Sequence, residues 1–384
     1  MTRNTQAPAG LSLFGGPMNR LGLRLGLVRG NTNTALIGLM LGPALWLVIV
    51  ALALMEGVED RLFDLSVVAV HARLLVIIPL FFVCESWVGP RMTAFVATIV
   101  RTEVVPPAAQ SALHAEVSRI NRWANWWWPE ALCLLLAGVM DATGSKLVIY
   151  GLSAADDPSR TALGAFVYFH VGLNVFRFLL FRWIWKLTLW CWFLWRVSRL
   201  DLQLIPGHSD RAGGLGPLEG VHERFTPLVA ALSVIECASL VESISAGALS
   251  FTAVYPTLAL LLLLDGVLFL APLLVFTDKL WASRTKGVGA YMTLSARYVK
   301  EFEAKWTGGS IPDGEPLLGS ADLQSLADLA NAIAVVKSMR WITVGPRLLT
   351  MMTLAAAAPL TPLLLFQYPL AELAEKFFSR LVGL

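Results

Sequence analysis

Long apolar runs separated by short polar stretches set the rhythm of this chain. About seven segments, each roughly 18 residues or more, are hydrophobic enough to cross a bilayer: near 35–55, 68–88, 123–141, 163–185, 228–250, 256–277 and 342–366. The pattern predicts an all-α fold, a polytopic transmembrane helical bundle with a cytoplasmic helical hairpin between the last two spans. Its expected parts are a basic cytoplasmic segment (1–34), six spans (35–278), the hairpin (279–341), a proline-kinked seventh span (342–368) and an amphipathic tail (369–384). In the hairpin, the stretch through Trp306 extends the sixth span and a turn rich in Gly and Pro follows it. Beyond Ser320, an N-cap candidate, Leu323, Leu326, Leu329, Ile333 and Val336 recur at helical spacing. Their apolar face calls for a partner, either the neighbouring helix or a second copy of the chain.

Composition agrees with this pattern. Hydrophobic residues make up 56% and charged residues 15% of the chain, and the mean hydropathy of +0.65 belongs to multi-span membrane proteins. The net charge of +3 is dispersed along loop ends, which leaves no nucleic-acid footprint. Cys84, Cys133, Cys191 and Cys237 each stand alone in an apolar stretch and read as packing residues. No short apolar core with a small-residue cleavage site opens the chain, so no cleaved signal peptide is expected.

Charge asymmetry gives an orientation. Arg3, Arg20, Arg24 and Arg29 precede the first span without an acidic residue, whereas Glu56, Glu59, Asp60 and Asp64 follow it. The amino terminus is therefore expected in the cytoplasm, and an odd number of spans puts the carboxyl terminus and the 142–161 loop in the periplasm.

Ionisable residues within the spans are the candidate chemistry. Asp265 lies at the middle of the leucine-rich run that begins at Leu258. An aspartate at a helix centre costs about 3 kcal/mol while each Leu returns about half a kcal/mol, so the segment still inserts and its carboxylate needs a partner. On the fifth span Ser233, Glu236, Ser239, Ser243, Gly247 and Ser250 project within roughly 120° of one another, and Glu242 lies close by. On the fourth, His170, Asn174 and Arg177 form a polar stripe. Arg177 and Glu236 are expected to face each other, either as a structural ion pair or, with Asp265, as the lining of an ion or proton path. Arg182 and Lys186 fall on the opposite face and are expected to snorkel towards headgroups, as are Arg73 and Arg347. Trp126, Trp127 and Trp128, and the series Trp183, Trp185, Trp190, Trp192 and Trp195, read as anchors at the inner interface, with a ligand-binding aromatic box as the alternative.

One loop carries a motif. In the stretch from Pro206 to Pro217, His208, Asp210, Arg211, Gly213, Gly214 and Gly216 are spaced so that successive backbone N–H groups can converge on a phosphate or carboxylate, with Arg211 adding charge. The alternative is a tight turn fixed by Asp210 and Arg211. His208, Asp210, His222 and Glu223 are metal-ligand types, but His222-Glu223 lacks the second His of a zinc-protease helix. No catalytic residue, metal site or cofactor is assigned.

The string His208-Ser-Asp-Arg-Ala-Gly-Gly-Leu-Gly216, with Pro316-Leu-Leu-Gly-Ser-Ala-Asp-Leu-Gln-Ser-Leu-Ala-Asp328-Leu-Ala-Asn331, resembles segments of uncharacterised bacterial integral membrane proteins. The likeness covers mainly the second half of the chain and implies a bacterial inner membrane but no activity. The spans' charges favour an ion channel or transporter. A membrane scaffold or sensor working through the hairpin is the alternative, and a membrane-embedded enzyme acting on a phosphorylated or lipid substrate is the third reading. Membrane lipids and a second copy of the chain are the expected partners.

Overall fold

The computed structural model describes residues 10–24, 26, 34–57, 62, 64–143, 163–251, 254–307 and 321–366. Among these residues every regular element is a helix. We number them α1 (Pro17–Arg24), α2 (Ala35–Met55), α3 (Val68–Arg101), α4 (Pro107–Asn125), α5 (Trp128–Ala142), α6 (163–198), α7 (Gly216–Ser245), α8 (Val254–Trp306), α9 (Ala321–Lys337) and α10 (Pro346–Leu364). Five of them, α2, α3, α7, α8 and α10, are long and apolar enough to cross a membrane, which is the make-up of a membrane protein. The third and fourth expected spans, α5 and α6, are not among the five. Helix α5 has only 15 residues, and the arginines and lysine of α6 lower its hydropathy.

Helices α3 and α6 run parallel at the centre, with Phe81 stacked on Phe176 and Phe95 edge-on to Trp190. Helices α4 and α5 together run antiparallel to α6, from Glu116 beside Arg196 to Asp141 beside His170. Helix α2 packs antiparallel on α3 through small residues. A Cβ at Gly42 would collide with the Leu74 carbonyl oxygen, and one at Gly38 with Phe82, so these glycines permit the close approach. Helix α7 returns beside α3, where Glu242 Oε1 accepts the Ala69 N–H at 3.0 Å.

Helix α8 holds 53 residues. At 1.5 Å per residue it extends roughly 80 Å, far beyond a hydrocarbon core of about 30 Å. Its α-helix gives way to a π-helical stretch (266–270) and a 3₁₀ stretch (271–276) and resumes from Thr277 to Trp306. Helix α9 lies antiparallel against this distal part: the Tyr298 hydroxyl donates to the Asp322 carbonyl at 2.9 Å, Lys305 pairs with Asp322 at 2.8 Å, and Arg284 donates to the Lys337 carbonyl at 3.2 Å. The Gly/Pro turn, Ser320 and the 369–384 tail lie outside the described residues. In α10 the α-helix gives way at Ala358 to a 3₁₀ stretch holding Pro359 and Pro362, the break that its prolines predict.

Two local expectations are corrected. Helix α7 ends at Ser245, and Gly247, with φ of 68°, turns the chain out of the helix. Gly247 and Ser250 therefore lie beyond the polar face assigned to them. The amino-terminal segment is also more than a basic flank. Leu11, Leu13 and Phe14 are fully buried, and the strap they form is held by Thr93 Oγ1 donating to the Leu11 carbonyl at 2.8 Å and by Asn121 accepting the Ser12 N–H at 2.9 Å.

Candidate functional site

The polar groups within the bundle fall into three places. Near the Ala142 end of α5, Arg73 donates to the Tyr168 hydroxyl and its guanidinium lies 5.8 Å from the centre of the Phe176 ring. Glu242 and Arg177 lie in the neighbourhood of Tyr168. His170 Nδ1 is 2.9 Å from Asp141 Oδ2, and Asn174 donates to the His170 carbonyl at 2.9 Å. Ser243 donates to the Ser239 carbonyl at 2.9 Å. Of the expected seam, then, His170, Asn174, Arg177 and Glu242 gather here. Arg73 and Tyr168, which periodicity left out, stand at the centre. Both belong to short π-helical stretches, 72–77 in α3 and 168–172 in α6. Such bulges displace a side chain from the regular helical face, so a regular helical projection misses them.

The predicted ion pair is corrected. Among the described residues no ion pair joins Arg177 to Glu236; the ionisable groups acting on Arg177 are Asp141, Tyr168 and Arg73. Glu236 is half-buried on α7 and makes no ion pair among the described residues.

The second place overturns the snorkelling expectation. Arg182 and Lys186 are buried in the core. Arg182 makes a two-pronged pair with Glu85 of α3 at 2.8 and 3.1 Å and reaches Glu130 of α5 at 3.2 Å. Lys186 Nζ is 3.1 Å from Glu85 and 4.4 Å from the centre of the Phe14 ring. Glu130 also accepts the Met18 N–H at 3.0 Å, so the amino-terminal strap closes over the cluster. Two cations meet two carboxylates, which satisfies the rule that charges taken out of water are paired. Arg73 is likewise buried and does not snorkel. Arg347 is exposed beside Glu223 at 3.2 Å, as an end-of-span arginine should be.

The glycine-rich loop holds an anion of its own. The Asp210 carboxylate accepts the N–H groups of Ala212 at 2.8 Å, Gly214 at 3.0 Å and Gly216 at 2.8 Å, and His208 Nδ1 lies 2.9 Å away. Burial alone would raise the Asp210 pKa, but the N–H groups of Ala212, Gly216 and Gly214 and the neighbouring His208 outweigh it and hold the pKa below its ordinary value. Gly213 and Gly214 adopt φ of 65° and 97°, and a Cβ on Gly216 would press on Asp210 at 2.7 Å. The convergent N–H groups were legible in the glycine spacing; their occupant is internal, so the loop as an external anion site is corrected. Arg211, with φ of 56°, is engaged through its backbone: its N–H donates to the His208 carbonyl at 3.1 Å and its carbonyl accepts the Arg340 N–H at 2.7 Å. The loop knits one end of the bundle together. Gln203 N–H donates to the Val104 carbonyl at 2.8 Å, Lys279 to Leu200 and Ser283 to Leu204 at 3.1 Å, while Arg340 pairs with Glu219 at 2.8 Å.

His222 is no metal ligand either. Trp190 donates to its Nε2 at 3.1 Å and its Nδ1 lies 2.7 Å from the Phe269 carbonyl, so both ring nitrogens are engaged. Pro272 has no N–H to give to the turn before it, which leaves a carbonyl there for a side chain. No group of three or more His, Cys, Asp and Glu residues able to hold a metal lies among the described residues.

The third place is Asp265. Its side chain is buried, and neither carboxylate oxygen has a hydrogen-bond partner among the described residues. It sits where α8 passes into its own π-helical stretch, 266–270. On the packed neighbour α7, the buried Ser233 hydroxyl also has no hydrogen-bond partner among the described residues. Unlike the Glu85–Arg182 cluster, Asp265 makes no ion pair among the described residues. Compared with known proteins, the chain matches no family model, no curated protein and no solved structure.

Proposed function

We propose that the protein moves small cations, protons foremost, across a membrane, and that Asp265 is the group that binds them in transit. The supporting observation is the pair of unpartnered oxygens on a buried carboxylate inside an apolar helix. Ionised and alone, such a group is costly to bury; a proton or a cation removes the cost. A group whose burial is relieved by its cargo is what a transport site requires. Half-buried Glu236 on α7 gives a second carboxylate on the neighbouring helix.

In this reading α5 and α6 count as spans beside the five apolar helices. The charges that lower the hydropathy of α6, Arg182 and Lys186, are neutralised against Glu85 and Glu130 and do not meet lipid. The resulting seven spans, with a cytoplasmic amino terminus and a cytoplasmic α8–α9 hairpin, fit the arginine bias between loops. A bacterial inner membrane rests on the sequence resemblance alone. The purified protein in liposomes, assayed for dissipation of an imposed pH gradient, tests the proposal; tight vesicles would refute it.

A scaffold or sensor is the second reading. It draws on the open groove between α8 and α9, where Met292, Val299, Leu326, Leu329 and Ile333 present an apolar floor. The enzyme reading rested on the glycine-rich loop. Since Asp210 occupies the N–H groups of that loop, no observation carries it further.

A further inference from the structure

The outward face where α4 meets α6 changes character along its length. On α6 the exposed and half-exposed positions from Phe181 read Phe181, Ile184, Trp185, Thr188, Cys191, Trp192 and Trp195, and then Arg196 and Arg199. This stripe is almost wholly apolar for about 20 Å at 1.5 Å per residue before it turns basic. Its tryptophans touch one another and those of the antiparallel partner: Trp128 with Trp185 at 5.9 Å, Trp123 with Trp192 at 6.0 Å, and Trp192 with Trp195 at 5.2 Å between ring centres. At the basic end the guanidinium groups of Arg199 and Arg196 lie 5.2 and 5.9 Å from the centre of the Trp195 ring.

Charge at that end is unbalanced. Arg196 and Arg119 share a single carboxylate, Glu116, at 2.7 and 3.1 Å, while Arg122 and Arg199 have no ion pair among the described residues. Antiparallel pairing sets Arg119, Arg196 and Arg199 around Glu116, with Arg122 one turn nearer the tryptophans, next to the Trp123–Trp192 pair. An apolar stripe that ends in tryptophan and then in arginine follows the polarity profile of a bilayer leaflet, from acyl chain through glycerol to phosphate. A soluble partner would give no reason for that ordering along the helix axis.

We propose that this face, with Trp123, Trp192 and Trp195 beside Arg122 and above Arg196 and Arg199, binds the headgroup of an anionic phospholipid. The rings lie against the glycerol and upper acyl chain, and the guanidinium groups donate to the phosphate oxygens. Arg suits this role because its planar fork contacts two oxygens at once and stacks on indole with the same group. The site is independent of Asp265 and stands or falls separately from transport.

The test is titration of the purified full chain in detergent with phosphatidylglycerol or phosphatidylcholine brominated on the acyl chains, read by quenching of tryptophan fluorescence. Phosphatidylglycerol should quench at lower concentration, with a preference that shrinks as salt rises. Arg122→Gln with Arg199→Gln should raise its half-saturation by about 25-fold, roughly fivefold per basic residue, and leave phosphatidylcholine unchanged. Arg122→Lys with Arg199→Lys keeps the charge and should keep the preference. Arg297→Gln, on the distal part of α8, should change nothing. Equal quenching by the two lipids in the unmodified protein would overturn the proposal, as would a preference that survives the double Gln variant. Loss of preference in the Lys pair or in Arg297→Gln would also overturn it, and so would competition by inorganic phosphate as strong as that of the lipid.

Discussion

Asp210 is the residue through which the glycine-rich loop can be tested most fully. Replacing it with Ala leaves the N–H groups of Ala212, Gly214 and Gly216 without their acceptor. A hydrogen bond contributes about 1 kcal/mol net, and more when the acceptor is charged. Three of them set the expected loss at about 3 kcal/mol, with water recovering part of it because the loop is only partly buried. Asp210→Asn retains an acceptor oxygen but turns an NH₂ group towards donors, so it should lose much of the same amount. The pH dependence follows from the depressed pKa. A carboxyl group held below its unfolded value, ordinarily about 3.9, contributes stability that is complete above that value and is lost as pH falls through the folded one. The gap in thermal stability between the unmodified protein and Asp210→Asn should therefore be constant near neutrality and close in acid. Thermal unfolding in detergent, followed by tryptophan fluorescence from pH 7 downward, measures it. Equal stability of Asp210→Ala at pH 7, or a gap that persists unchanged in acid, would refute the account of the loop.

Other expectations follow from the core. Glu85→Gln should cost about 3–5 kcal/mol by leaving Arg182 and Lys186 with only Glu130, and Glu85→Leu with Arg182→Met should recover part of that loss; additive losses in a thermal-unfolding cycle would contradict the pairing. Phe14→Ala should cost about 3–5 kcal/mol as a fully buried aromatic residue and should expose the strap to limited proteolysis after Leu13, whereas an unchanged cleavage pattern would detach the strap from the core.

Much of the fold was legible because the apolar runs are long. The uninterrupted 35–55 segment, the continuation of the sixth span to Trp306 and the proline break in α10 follow from local physics. Helix α6 was misread because a helical wheel ranks faces but does not say how many are covered. Arg177 and Arg182 fall on different faces, and α3 and α5 flank α6 on both, so both arginines are buried. The partners of Arg182, Glu85 and Glu130, lie 97 and 52 positions away in sequence, and neither belongs to a local pattern that names Arg182. Leu11, Leu13 and Phe14 are too short a run to show a period. For the loop the signal was present and was assigned to the wrong anion: an aspartate two, four and six residues before Ala212, Gly214 and Gly216 is the nearest candidate for their N–H groups. Asp265 needed no tertiary information, since a carboxylate amid leucines is conspicuous in any window.

The proposed transport role rests on that carboxylate, and proton flux through liposomes tests it most directly. The unmodified protein should collapse an imposed pH gradient, and Asp265→Asn, which keeps the side chain's size but removes its titratable charge, should leave the gradient standing while unfolding at a temperature no lower than the parent. Collapse at the same rate in both proteins, or in neither, would contradict the proposal.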